Sequence, residues 1–179
     1  MSGSIASASV ERSGPRELVV SVNWIGDAIM AMPALQLYRQ RHPRVHLVVL
    51  ARGILADLWT LHAAPDEVIR YDGRPSWSDP LFTRLRGESF DAAWILPNSF
   101  RSAWIAFRAG IPVRHGYPGG WRHLLINDPA RRHPPAERRH QAWESMYLLN
   151  PDAVPDTLPM PELRIPDAAR RSAAERHGV

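Results

Sequence analysis

Two short stretches carry the side chains best suited to chemistry. In NWIGD, residues 23–27, a carboxylate follows directly on a glycine. In PNSFR, residues 97–101, an amide, a hydroxyl and a guanidinium lie close together. A carboxylate at the rim of a cleft can take the proton from a hydroxyl as that hydroxyl attacks. An arginine presents a planar fork that matches phosphate or carboxylate. Each residue also has a plainer use. Aspartate is a good N-cap, and residue type alone favours that reading of Asp27. Asn98 or Ser99 would cap the next helix, leaving Arg101 solvated in its first turn. A cation there opposes the helix dipole, which tilts Arg101 toward a ligand. Free N–H groups at such a helix end suit an anionic or hydroxyl-rich partner.

Position separates these readings, and position follows from the elements around the two stretches. Residues 18–22 (LVVSV) read as a buried strand and 27–41 as a helix, with Ile29, Met32, Leu35 and Tyr38 at three-residue spacing. Pro33 inside it predicts a kink or a local break. Strands follow at 45–50, 68–71, 90–96 and 114–117, and helices at 54–62, 79–86 and 99–108. Apolar strands alternating with helices imply a mostly parallel sheet covered on both faces. The expected fold is α/β, a doubly wound, Rossmann-like domain over residues 17–150. In such sheets ligands bind beyond the carboxyl ends of the strands, where both stretches lie. The same helix start that would cap Asp27 then aims its carboxylate at the cleft.

Outside that domain the pattern changes. Residues 1–16 are small and polar and read as a disordered leader without the apolar core of a signal peptide. A turn is expected at 118–120 and a helix over 136–149. Prolines at 151, 155, 159, 161 and 166 make 151–166 an extended linker. A helix over 167–177 then reads as the start of a further domain, beyond the 179 residues given.

Several chemistries lack their residues. NWIGD has one glycine, neither a dinucleotide fingerprint nor a phosphate-binding loop. No D-x-D pair supports a metal-clamped nucleotide sugar, and no G-x-S-x-G elbow supports an esterase. The 8 histidines form no H-x-H or H-E-x-x-H and are expected at the surface, so no metal is expected. Cysteine is absent, which excludes disulfides and thiolate sites. The net charge is +4, and all 22 basic residues are arginines, yet no nucleic-acid module is recognisable. Arg131, Arg132, Arg138 and Arg139 read as a solvated basic loop, with contact to a phosphorylated substrate or anionic lipid as the alternative. No apolar run is long enough to span a membrane.

The segments NWIGDAIMAMPAL, ILPNSFRSAWIAFRAGIPVRHGY and WRHLLIND, in this order, resemble the lipopolysaccharide heptosyltransferases of glycosyltransferase family 9. LPNSFRSA followed by AGIP-x-R-x-G-Y is specific to the heptosyltransferase II subgroup, and the similarity runs over residues 18–149. The resemblance implies one half of a GT-B enzyme, the N-terminal acceptor-binding domain. It implies inverting transfer of heptose from ADP-heptose to a heptosyl-Kdo-lipid A acceptor, without a metal or other cofactor. It puts the proposed general base on Asp27. Acceptor contacts fall on Asn23, Trp24 and Gly26 in the first loop, on Asn98, Ser99 and Arg101 in the second, and on Arg122 in WRHLLIND. The donor half would lie outside this chain, which alone is expected to show little transfer. The enzyme would work in the cytoplasm, with peripheral contact at the inner membrane, and would not bind nucleic acid. The competing expectation is a non-catalytic domain that binds core sugars or an anionic surface.

Overall fold

Alternate residues of the central strands bury into two different cores, which explains why those strands are apolar throughout. Leu18 and Val20 pack with Val48, Leu50 and Ile69 in one core, while Val19, Leu47 and Val49 face the other. A computed structural model describes residues 14–138 and 140–177. Its strands are β1 (Arg16–Val20), β2 (His46–Arg52), β3 (Glu67–Tyr71), β4 (Ala92–Ile95), β5 (Val113–Gly116) and β6 (Asp128–Pro129). They form one sheet in the order β3-β2-β1-β4-β5-β6, and every pairing is parallel. Helices α1 (Ile25–Arg41), α2 (Ile54–Thr60) and α5 (Gln141–Leu149) supply the core on the Val19 face. Helices α3 (Pro80–Gly87) and α4 (Phe100–Arg108) supply the core on the Leu18 face. Helix α6 (Asp167–His177) follows. This is the expected Rossmann-like fold, and its strand order reverses between β1 and β4.

Several local expectations need correction. Helix α1 begins at Ile25, and its N-cap is Trp24 in extended backbone without a side-chain cap bond. Asp27 therefore lies inside the first turn and caps nothing. Pro33 is buried and leaves α1 unbroken. Asn150 Nδ2 donates to the carbonyl of Ala34 at 2.9 Å and braces α1 just after the proline. The helix expected over 136–149 divides into a 3₁₀ turn (Ala136–Arg138) and α5. His140 sets the start of α5, where its Nδ1 accepts from the Ala142 N–H at 3.4 Å. Arg139 and residues 1–13 of the expected leader lie outside the described residues, and Arg16 already belongs to β1.

The proline-rich segment, expected as an extended linker, forms no helix between residues 151 and 166 and is fastened down. Leu163 forms an antiparallel bridge with His62, and the Arg164 N–H donates to the Leu61 carbonyl at 2.7 Å. Gln36 Nε2 donates to the Met160 carbonyl at 3.2 Å, and Gln36 Oε1 accepts from the Glu162 N–H at 2.9 Å. Val154 and Leu158 pack against the core. The segment is a strap across α1 and α2. Among the described residues no helix is long and apolar enough to cross a membrane.

His62 sits beneath this strap and overturns the expectation that the histidines are superficial. It is buried, its Nε2 lies 3.0 Å from Gln36 Oε1, and its Nδ1 accepts from the Ala64 N–H at 3.4 Å. Those partners suit a neutral ring carrying its proton on Nε2. Burial lowers its pKa from 6.5 to about 4. The unfolded chain thus takes up a proton below pH 6.5 that the folded chain refuses until about pH 4. Stability from this site should be full at pH 7, fall as pH drops from 6.5 to 4, and then level off. The loss is about 3 kcal/mol. Urea unfolding at pH 7 and pH 4 should show a smaller difference for His62→Gln than for the parent chain. An equal difference would contradict the assignment.

Candidate functional site

Parallel pairing of β1 with β4 brings together the two loops that hold the candidate residues. The Leu96 N–H donates to the Val20 carbonyl at 3.3 Å, so the chain leaves both strands side by side. The β4–α4 loop then separates two clefts. Ser99 faces one and Asn98 the other.

The first cleft has a volume of about 220 Å³ and is lined by Asn23, Ser99 and Arg101 together with Arg52, Tyr71 and Arg74. Ser99 is the N-cap of α4, and its Oγ accepts from the Ser102 N–H at 3.2 Å. The helix-capping use and a place in the cleft therefore coexist at one residue. Arg52, Arg74 and Arg101 are exposed, and none of their guanidinium groups has a hydrogen-bond or carboxylate partner among the described residues. Burial raises the pKa of the Tyr71 hydroxyl, and the nearby Arg52 and Arg101 charges pull it the other way. Three guanidinium groups without a counter-charge favour an anion.

The second cleft, about 590 Å³, is lined by Asn98, Tyr117, Arg122, His133 and Glu144 among others. Arg122 belongs to a 3₁₀ turn (Gly120–Leu124) and is buried, with its Nη1 donating to Asn98 Oδ1 at 2.8 Å. Asn98 Nδ2 in turn reaches Glu144 Oε2 at 3.4 Å. Gly116, at the end of β5, makes room for this guanidinium. A Cβ there would come within 3.1 Å of Arg122 Nη2 and 2.9 Å of Ile126 Cδ1.

Trp24, Gly26 and Asp27 line neither cleft. Trp24 is 75% exposed, and a Cβ built at Gly26 would meet nothing within 4 Å. Asp27 is partly exposed, and no side-chain partner engages its carboxylate among the described residues. The helix N-terminus favours a negative charge at that position.

Residues 80–178 match the model of glycosyltransferase family 9 (heptosyltransferase). The chain belongs to glycosyltransferase family 9. This family 9 chain is 28% identical over 165 residues to lipooligosaccharide heptosyltransferase 2 of Haemophilus ducreyi, covering 87% of its own length and 47% of that relative. It is 33% identical over 116 residues to lipopolysaccharide heptosyltransferase 2 of Salmonella typhimurium, covering 62% of itself and 33% of that relative. The chain thus spans less than half the length of these curated relatives. Its fold matches the structure of E. coli ADP-heptose LPS heptosyltransferase II with a TM-score of 0.75 at 24% identity, over 92% of this chain and 51% of that one. A family 9 glycosyl transferase structure from Veillonella parvula gives 0.77 at 20% identity, over 94% and 51%.

Sequence reasoning did not find every lining residue of this family 9 chain. Arg52, Arg74 and Tyr71 escaped it because they come from the ends of β2 and β3 or the loop beyond, far from either motif. Tyr117 closes the segment ending AGIPVRHGY but was not singled out there, and His133 and Glu144 lie outside all three segments that carry the resemblance. The one available signal was positional, since Arg52, Tyr71 and Tyr117 each sit at or next to the carboxyl end of a strand. Large apolar side chains are exposed beside the clefts, with Phe100 at 52%, Trp121 at 78% and Leu124 at 64%.

Proposed function

We propose that the chain is the acceptor-binding half of a lipopolysaccharide inner-core heptosyltransferase. The observation that carries this reading is the uncompensated arginine trio around Asn23 and Ser99, at the point where the strand order reverses. An inner-core acceptor supplies what such a cleft selects, hydroxyls beside carboxylate or phosphate groups. In the proposed reaction an acceptor hydroxyl attacks the anomeric carbon of ADP-heptose. Asp27 takes the hydroxyl proton, the bond from that carbon to the diphosphate breaks, and ADP leaves with the electron pair. Attack opposite the leaving group inverts the centre.

Asn23, Ser99 and Arg101 hold the acceptor from the first cleft, and Asn98 and Arg122 from the second. Trp24 and Gly26 form the exposed start of α1 beside Asp27. The proposal assigns no metal or cofactor to the reaction. It leaves ADP-heptose to a second domain of GT-B type, entered through residues 151–179. It places the enzyme in the cytoplasm, in peripheral contact with the inner membrane. There the exposed Phe100, Trp121 and Leu124 would meet the lipid that carries the acceptor.

The test is an NMR titration of the chain, once with a core oligosaccharide and once with ADP-heptose. Saturable shifts at residues 23–27 and 97–101 are expected with the oligosaccharide, and none with ADP-heptose. Saturable binding of ADP-heptose without the oligosaccharide would overturn the assignment of this half to the acceptor.

A further inference from the structure

A third cavity lies at the opposite end of α1 from Asp27, about 20 Å away at a rise of about 1.5 Å per residue. Its volume is about 250 Å³. Its inner wall accepts hydrogen bonds. His115 Nδ1 lies 3.0 Å from Asp128 Oδ2, so that nitrogen carries the ring proton and Nε2 is left as an acceptor. Burial lowers the His115 pKa and outweighs the Asp128 and Glu17 charges that raise it, which keeps the ring neutral at pH 7. Neither Nε2 nor the second Asp128 oxygen has a partner among the described residues. Glu17 stands behind this wall, its Oε2 accepting from the Tyr38 hydroxyl at 2.6 Å and from Trp94 Nε1 at 2.7 Å. Helices α1 and α5 both end here, at Arg41 and Leu149, and bring the negative ends of their dipoles. The rim has the opposite sign. Arg41 and Arg131 are exposed, and neither guanidinium has a hydrogen-bond or carboxylate partner among the described residues. Asp152, also exposed at the rim, pairs with neither. The Arg131 charge is close enough to lower the His115 pKa.

We infer that this cavity binds a small zwitterion, with its ammonium group on His115 Nε2 and Asp128 and its oxyanion on Arg41 and Arg131. A single charge would meet its own sign on one side. A lone cation faces the arginines, and a lone anion faces Asp128, Glu17 and the two helix ends. The ammonium must carry N–H groups, because the aromatic rings here are engaged with one another. His115 stacks on Trp94 at 3.9 Å, and His42 lies 4.4 Å from Tyr38. Hydrogen bonds rather than an open ring face therefore hold the nitrogen, and a quaternary nitrogen is a poor substitute. Leu148 and Leu149 wall the short apolar link between the charges. The site needs nothing from the acceptor reading, and its distance from Asp27 separates the zwitterion from the reacting groups.

The experiment titrates the full 179-residue chain with O-phosphoethanolamine, ethanolamine, ethyl phosphate and phosphocholine, followed by NMR. Read at the amides of His115, Asp128 and Arg131, O-phosphoethanolamine should bind about tenfold or more tightly than each of the other three. Anion binding at the arginine trio of the first cleft is read separately, at residues 97–101, and favours no zwitterion. Arg41→Gln with Arg131→Gln should erase the advantage over ethanolamine, and Asp128→Asn the advantage over ethyl phosphate. His115→Phe keeps a ring against Trp94, removes the acceptor, and should also cut the advantage over ethyl phosphate. The arginine pair is exposed, so its variant tests the site even where a change on β5 or β6 unfolds the chain. Equal binding of the zwitterion and its halves overturns the inference, and so does an advantage over ethanolamine that survives the loss of both arginines. Sedimentation with vesicles of phosphatidylethanolamine, against vesicles of phosphatidylcholine, tells a lipid headgroup from a free solute. Added retention that Asp128→Asn abolishes marks the headgroup, and no added retention marks the solute.

Discussion

Asp27→Asn should lower heptose transfer by about 10²- to 10⁴-fold while leaving the fold intact. The measurement is ADP release from ADP-heptose and acceptor, with the donor half supplied by fusion or in trans. Asparagine keeps the size of the side chain and loses only the ability to take a proton. The structural role that could confound this result is small. Trp24, not Asp27, is the N-cap of α1, and the carboxylate has no side-chain partner among the described residues. What remains is its interaction with the helix dipole, about 0.3–1 kcal/mol. Turnover near the parent rate would remove Asp27 from the mechanism. A collapse of the melting temperature together with lost acceptor binding would make it a structural residue instead.

Trp59→Ala should cost about 3–5 kcal/mol of folding stability. Trp59 is fully buried in the core shared by α1, α2 and α5. Its indole N–H donates to Ser21 Oγ at 2.8 Å. Against a typical total of about 5–15 kcal/mol, that loss leaves the variant partly unfolded on mild heating. Trp59→Phe keeps most of the buried ring and removes the hydrogen bond, so it should cost about 1 kcal/mol. Ser21 lines the first cleft with Asn23, so the phenylalanine variant should also loosen acceptor binding there. Urea unfolding checks both values. A cost below about 1 kcal/mol for Trp59→Ala would show that the site repacks.

The architecture was legible because its signal is periodic and repeated. Continuous apolar runs at β1 and β2 and apolar spacing on α1 needed no long-range information. The errors came where local signals were weak or competed. Ile25 and Gly26 look like loop, so α1 was expected two residues late, and an aspartate at its apparent start looked like a cap. β6 is two residues long, ends in a proline and escaped notice. The strap went unseen because main-chain groups of Met160, Glu162 and Arg164 bind it, and composition does not encode main-chain partners. Among the site residues, Asn23, Ser99 and Arg101 do share one cleft, while Asn98 and Arg122 share another. The partition follows from how β1, β4 and the turn after β5 converge, which no single segment shows.

The central position of β1 also governs how the chain assembles. β1 can pair with β2 soon after the latter is made, but its hydrogen-bonded neighbourhood on the other side, where the Arg16 N–H meets Asp91, lies 75 residues further along. Parallel pairings of such separation are slow to form, because the loop entropy is lost before the contacts reward it. At about 5–20 residues per second of synthesis, the delay is about 4–15 s. Through that interval one edge of β1 stays unpaired, with Leu18 and Val20 not yet covered by α4. The clefts come into being at the last of these joints, so a chain stalled before β4 would be prone to aggregation and would have no site.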